Sequence, residues 1–406
     1  MTDDVLMEVT EEQIALESLA HSIEKDRLVI DTGLSAIAIT EESLTALTQE
    51  SLTEDQFYAH VMNVESSLGM TLESHRPSCY SEGYSQEILD WTVKFIRGAL
   101  VKVWEAIKNA IAAMRRKIME FFSKLLAGNT RMQSKIQDLL KELKKLESDN
   151  LSATKNPIKV PNGGRLHIGG NIDAEELNTA INDLATDLVP VLEYYGQENN
   201  KIVDELEKAT QLLERISEST VENFEQQISK IRSMPGDLQS GLSRKAKNLT
   251  RRKEYPGGQS LTLQDATYEP NGVPSKMPSL EFERTDRKVS YSETETVIPV
   301  DFEEARSLLE SCQKILESVA AAEKQFKSLD KRLEKLVDQK DEVMNSAEVT
   351  SKIESLGIDN SVRVLMNFFQ LALPGSIAKV VKYEYGVARA TVIYCEKSIA
   401  AHKKQN

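Results

Sequence analysis

From Ala305 to Leu336 the chain places an apolar residue at alternating steps of three and four without a miss. The positions are Ala305, Leu308, Cys312, Ile315, Val319, Ala322, Phe326, Leu329, Leu333 and Leu336. That interval averages 3.5 residues, so the side chains fall on one stripe of an α-helix and give it a seam of the coiled-coil type. Asp301 and Glu304, three apart and just ahead of the first apolar position, match a capping box that would start the helix. Charged residues lie between these positions. A segment written this way cannot serve as a strand, whose side chains alternate with a period of two.

The same arithmetic extends over most of the chain. Apolar residues recur at helical spacing from Leu89 to Leu125 (Leu89, Val93, Ile96, Leu100, Val103, Ile107, Ala110, Met114, Ile118, Phe121, Leu125), and again from Met132 to Leu146. Gly128-Asn129 reads as a stop between them, which predicts an amphipathic helical hairpin over residues 83–150. Residues 151–172 carry Pro157, Pro161 and four glycines and read as a loop. Long helices follow over 173–250, opened by a second capping box at Asp173 and Glu176, with a phase slip near Tyr194-Tyr195-Gly196 that predicts a kink or break. Residues 251–300 turn irregular, and Leu261-Thr262-Leu263 and Val289-Ser290-Tyr291 read as short strands. Residues 301–406 hold the seam helix and C-terminal helices. The expected fold is mainly α, an elongated helical bundle or coiled-coil body with a small irregular or β insertion.

Charge divides the chain differently. Residues 1–82 contain 17 Asp/Glu and 3 Lys/Arg, a net of −14, which is also the net charge of all 406 residues. Residues 83–406 therefore balance, with 47 groups of each sign. A like-charged block is expected to stay extended or to act as a tail for a partner. Inside it a phrase recurs: Leu16-Glu17-Ser18-Leu19, Glu42-Ser43-Leu44, Glu50-Ser51-Leu52, Glu65-Ser66-Ser67-Leu68, Leu72-Glu73-Ser74. The acidic start has no apolar core of the kind a secretory signal needs. The longest uncharged stretch near the C-terminus, Val364–Ala378, is interrupted by Pro374-Gly375 and falls short of the roughly 20 residues of a membrane span.

Residues that carry chemistry are sparse. No catalytic set, metal site or cofactor is read from the spacing of His, Cys, Asp and Glu. Cys79, Cys312 and Cys395 are too scattered for a disulfide framework, and Cys312 lies on the seam as a small apolar side chain. His167, in the loop Asn162-Gly163-Gly164-Arg165-Leu166-His167-Ile168-Gly169-Gly170, and His402, in a basic tail, read as surface residues. That loop lacks the Gly-Lys-Ser/Thr ending of a phosphate loop, so a tight hairpin turn is the better account. Two basic features offer binding roles instead. Arg244, Lys245, Lys247, Arg251, Arg252 and Lys253 put six cations in ten residues, a candidate nucleic-acid contact or a solvated helix end. The helix over residues 86–126 has 8 Lys/Arg against 4 Asp/Glu and carries Trp91, Phe95, Trp104, Phe121 and Phe122, a candidate membrane or partner helix whose simpler use is packing in the fold.

Tandem Glu-Ser-Leu phrases in an acidic helical N-terminus, followed by a charge-balanced helical body, resemble the internal head proteins of giant tailed phages. In that family acidic propeptides direct proteins into the assembling head. A prohead protease then cuts after Glu in short motifs with a small residue two positions before it. Ala15-Leu16-Glu17, Ser22-Ile23-Glu24, Thr48-Gln49-Glu50 and Thr71-Leu72-Glu73 are similar in form, whereas Tyr80-Ser81-Glu82 departs from it with a bulky residue. The resemblance implies a non-enzymatic structural protein of the head interior, made in the host cytoplasm. Its candidate cleavage sites are Glu50, Glu65, Glu73 and Glu82. Its expected partners are other virion proteins, the prohead protease and packaged DNA, with self-association through residues 305–336. Two other readings stand beside it: a coiled-coil interaction scaffold unrelated to virions, and an ejected membrane-active effector using residues 86–126.

Overall fold

The computed structural model describes residues 53–68, 86–149, 152–268, 274–285, 294–344 and 375–404, with Tyr291 and individual positions between 15 and 47 and between 352 and 368. The fold is mainly α, as the periodicity implies, with short antiparallel strand pairs. It divides into two compact units, Met1–Glu120 and Phe121–Asn406.

In the first unit the described positions between 15 and 47 are helical, and Leu16, Ile23 and Ile30, spaced by seven, are buried. Helix α1 (Glu54–Leu68) follows. A reciprocal capping box closes its N-terminus: Gln56 N donates to Thr53 Oγ1 at 3.3 Å and Thr53 N donates to Gln56 Oε1 at 2.9 Å. Phe57, Val61 and Val64 of α1 pack with Leu47 and with Ile96 of helix α2 (Gln86–Ser148), and Val93 and Phe95 join the cluster. Asp26 pairs with Lys117 at 2.6 Å. The described positions of the acidic block are thus helical and packed, where its charge alone implied an extended chain or a tail for a partner. Its apolar residues, repeating along helices, bury against one another and against α2, while repulsion between exposed carboxylates fades over a Debye length of about 8 Å.

In the second unit the seam helix, α6 (Phe302–Met344), is flanked by α7 (Gly375–Lys404), by α3 (Ala174–Asp183) and by α4 (Val189–Glu214), which pairs with α5 (Val221–Lys245). Every apolar seam position from Ala305 to Leu336 is buried within the single chain. The self-association expected through 305–336 therefore finds those side chains already occupied. Helix α7 runs antiparallel to α6, since Cys312 Sγ lies 3.7 Å from the Ala388 carbonyl and Cys395 Sγ 3.9 Å from that of Ala305. The two capping boxes are present. Glu304 N donates to Asp301 Oδ1 at 2.8 Å and Asp301 N to Glu304 Oε2 at 3.0 Å, and Glu176 N donates to Asp173 Oδ1 at 2.9 Å.

Between α5 and α6 lie most of the strands. β2 (Gln259–Gln264) pairs with β5 (Ser279–Arg284), and β3 (Thr267–Tyr268) with β4 (Pro274–Lys276). β6 (Glu295–Val297) reaches back to β1 (Ile158–Val160). Leu261-Thr262-Leu263 is a strand as read. Tyr291 sits in a turn, and Val289 and Ser290 lie outside the described residues.

Two expectations about helix ends are corrected. The hairpin over 83–150 is one unbroken helix, because Gly128 and Asn129 are buried rather than terminal and the Asn129 amide donates to the Leu316 carbonyl of α6 at 2.7 Å. A small residue beside a side-chain donor lets α2 approach α6 closely instead of ending. The phase slip is real but is absorbed ten residues earlier, in a π turn at Leu184–Leu188. Pro190, which has no N–H to give the Thr186 carbonyl and would crowd it in a regular helix, follows directly on this wider turn. At Gly196 the helix continues, and the absent side chain leaves room for Gln325, whose Oε1 would lie 1.9 Å from a Cβ there.

The seam predicts a contrast in stability. Leu329→Ala should cost about 2–5 kcal/mol, the usual penalty for emptying a core leucine site, whereas the exposed Lys331→Ala should stay within about 0.5 kcal/mol. Chemical denaturation of the two variants measures both.

Candidate functional site

The buried titratable groups all sit in closed surroundings. His402, read as a surface residue, is fully buried: its Nδ1 accepts from Thr154 N at 2.9 Å and its Nε2 faces the Val300 carbonyl at 2.8 Å. Those partners assign the neutral tautomer with the proton on Nε2. The ring also meets Phe302 edge-on at 4.9 Å. His402 is a clamp between residues 154 and 300, and its role was hidden because both partners are far away in sequence. His167 is mostly buried too, with Nε2 3.3 Å from Glu295 Oε1. Its loop makes a tight hairpin: Ile168 and Asn171 exchange backbone hydrogen bonds across Gly169 (φ 61°) and Gly170 (φ 86°), a left-handed pair that glycine supplies without strain.

Burial raises the thiol pKa of Cys312 to about 12, and it raises that of Cys395 well above the ordinary value, so neither is a ready nucleophile. Glu384 on α7 is fully enclosed, and neither of its oxygens has a hydrogen-bond partner; burial raises its pKa far above the carboxylate range and holds it protonated. Glu205 is the opposite case. Burial alone would raise its pKa, but hydrogen bonds from Gln227 (2.7 Å), Lys208 (2.8 Å) and Lys230 (2.9 Å) outweigh that and bring it to about 2. Because Gln227 and Lys230 belong to α5, the carboxylate fastens α4 to α5. Among the described residues no group of three or more His, Cys, Asp or Glu is placed to hold a metal.

The basic run separates into two kinds of residue. Arg252 is structural: it pairs with Asp183 at 2.8 Å, donates to the Glu254 carbonyl at 2.9 Å and lies 5.6 Å over the Tyr255 ring. Arg244, Lys245, Lys247, Arg251 and Lys253 are exposed at the end of α5 and just beyond it, with Lys245 placed over the Tyr194 ring. Five cations are thus presented around one helix end.

The described candidate membrane residues are engaged in packing. Phe121 and Phe122 are fully buried, and Phe122 stacks on Phe326 of the seam at 5.0 Å. Phe95 is half-buried against the α1 cluster, and the side chains of Trp91 and Trp104 lie outside the described residues. Among those residues no helix is long and apolar enough to cross a membrane. Of the candidate cleavage residues, Glu65 stands half-buried in the last turn of α1, while Glu50, Glu73 and Glu82 lie outside the described residues. Six large apolar side chains are exposed among the described residues, and Leu28, Val29, Ile39 and Met62 of the acidic block are four of them.

A family model described as phiKZ-like phage internal head proteins matches residues 2–396. No curated protein and no solved structure gives a match.

Glu205 predicts an acid transition. A pKa lowered on folding contributes stability above the ordinary carboxylate value near 4.3 and loses it as the pH falls toward the folded-state pKa of about 2. Glu205→Gln should therefore be less stable than the parent at neutral pH, with the difference shrinking as the pH drops from about 5 to 2. Thermal melts across that range measure it.

Proposed function

The chain belongs to the phiKZ-like phage internal head proteins, and we propose that it is a non-enzymatic structural component carried into the assembling head by its acidic N-terminal block. The block is then removed, and the charge-balanced body stays beside the packaged DNA. One observation carries this reading: residues 1–82 hold the entire net charge of −14. Their loss leaves a neutral body and abolishes repulsion from DNA phosphates. While present, the block offers what an assembly partner could hold, acidic groups next to exposed Leu28, Val29, Ile39 and Met62. The partners are other virion proteins, the prohead protease that cuts after Glu50, Glu65, Glu73 or Glu82, and DNA met through the exposed members of the basic run. Arg252 takes no part in that contact because Asp183 already holds it.

Two measurements test the reading. N-terminal sequencing of the protein from purified virions should find a new terminus directly after one of those four glutamates; Met1 or Thr2 as the sole terminus would end the propeptide idea.

DNA binding through the basic run predicts weak duplex affinity without sequence preference, steeply dependent on salt. Replacing Lys247, Arg251 and Lys253 together by Gln should flatten the log–log salt slope by about 0.9 for each phosphate that these side chains neutralise. An unchanged slope would remove them from the DNA-facing surface.

A further inference from the structure

The acidic block lies on a surface that is itself written for helix pairing. From Leu89 to Met114 the apolar positions of α2 are Leu89, Val93, Ile96, Leu100, Val103, Ile107, Ala110 and Met114, a strict alternation of four and three over nearly four heptads. The row on one flank of these positions is small throughout, Thr92, Ala99, Ala106 and Ala113, which permits a close helix partner. The row on the other flank, Asp90, Arg97, Trp104 and Ile111, holds one charge of each sign. The cations Lys94, Lys102, Lys108, Arg115 and Arg116 fall in the outer rows, so two such helices meet without a line of like charges between them. The alternation is broken once, by the four-residue step from Met114 to Ile118, a shift of register. It comes just before Phe121, where the second compact unit begins.

In the intact chain this stretch is covered around Ile96. Leu47, Phe57, Val61 and Val64 enclose Ile96 completely, and Val93 and Phe95 pack on the same cluster. Farther along α2, Met114 and Ile118 are buried, and Lys117 pairs with Asp26 of the block at 2.6 Å. We propose that residues 15–68 are a removable cover on the α2 seam, and that once they are gone the seam pairs with the same seam of a second copy of this chain. A strict 3.5-residue stripe with Thr92, Ala99, Ala106 and Ala113 along one flank lets a second helix approach closely, which a lipid surface does not require. The acidic block thereby delays self-association until it is cut away. This inference rests on removal of the block, and its test needs no cleavage.

The experiment uses the full chain. Phe57→Glu with Val61→Glu puts two carboxylates into the cover's apolar contact and should release it from α2. Sedimentation at tens of micromolar should give a monomer for the parent, a doubled mass for the double variant, and a monomer again when Ile96→Glu is added. Should circular dichroism find the double variant unfolded, Lys117→Glu decides instead. It opposes Asp26 without touching the cover's apolar contact, and it should shift the equilibrium toward dimer by several-fold. A helical double variant that stays monomeric overturns the proposal, as does a dimer indifferent to Ile96→Glu. Capture of the double variant by phosphatidylserine vesicles in place of dimerisation also overturns it, and so does a Lys117→Glu chain that remains monomeric at every concentration. Recovery of Met1 as the sole virion N-terminus would remove processing while leaving the dimer result intact; the opposite pair of outcomes would retain processing and remove the cover.

Discussion

Helix α7 sets the terms for the second unit, because it is buried on nearly every side and still carries polar groups. A helix apolar all round belongs in an interior, and each polar group taken there must find a partner or cost about 1–3 kcal/mol. The partners are loops. Tyr383 donates to the Pro256 carbonyl at 2.9 Å, Tyr394 to that of Ile298 at 2.6 Å, and Ser398 Oγ accepts from Val300 N at 3.2 Å. His402 holds Thr154 and Val300. Phe282 of β5 stacks on Tyr383 at 3.8 Å. The irregular insertion and the residue-152 loop are therefore ordered from the outside, by one helix that needs their carbonyls and amides as much as they need its side chains. Glu384 is the exception, a lone acid kept neutral because nothing there can bond its charged form.

What the sequence made legible is what repeats locally. The seam from Ala305 to Leu336, the boxes at Asp301 and Asp173 and the strand at Leu261 each depend on residues a few positions apart. Their spacing alone predicts them. What stayed hidden joins residues more than a hundred positions apart or shifts a phase gradually. His402 lies 248 positions from Thr154, and Asn129 lies 187 from Leu316, so no local pattern marks either. Gly128-Asn129 looked like a stop because the same two residues that end helices also let them approach. The π turn at Leu184–Leu188 could have been inferred from Pro190 with the later slip at Tyr194, since proline inside a continuous apolar stripe requires some local widening. Thr53 and Gln56 are a capping box by spacing too, in a region where the density of acidic residues is the louder signal.

Charge is handled in opposite ways in the two parts of the chain. The body pairs its groups across helices: Arg332 of α6 with Asp204 and Glu207 of α4, Lys230 of α5 with Glu205, Lys135 of α2 with Glu396 of α7, and Arg306 with Glu147. Individually such pairs add little; together they fix which helix faces which. The acidic block cannot do this internally, since 17 acids share 3 cations. Its carboxylates must face water, the cations of α2 or another molecule. That is the physical sense in which the block is addressed outward, independent of any motif within it.

The proposed removal of the block also depends on how firmly α1 is held. Helix α1 has 15 residues, a length at which an isolated helix in water is marginal, so it persists through the contacts that Phe57, Val61 and Val64 make with Ile96. On the proposed processing, loosening those contacts would melt α1 and present the Glu65–Ser66 bond of its last turn as extended chain, the form a protease can bind. An assembly partner that grips the exposed apolar and acidic face would work in the other direction, holding the block folded until it lets go. On the proposed reading, cleavage and uncovering of α2 would then draw on one equilibrium, whether the cluster around Ile96 is closed or open.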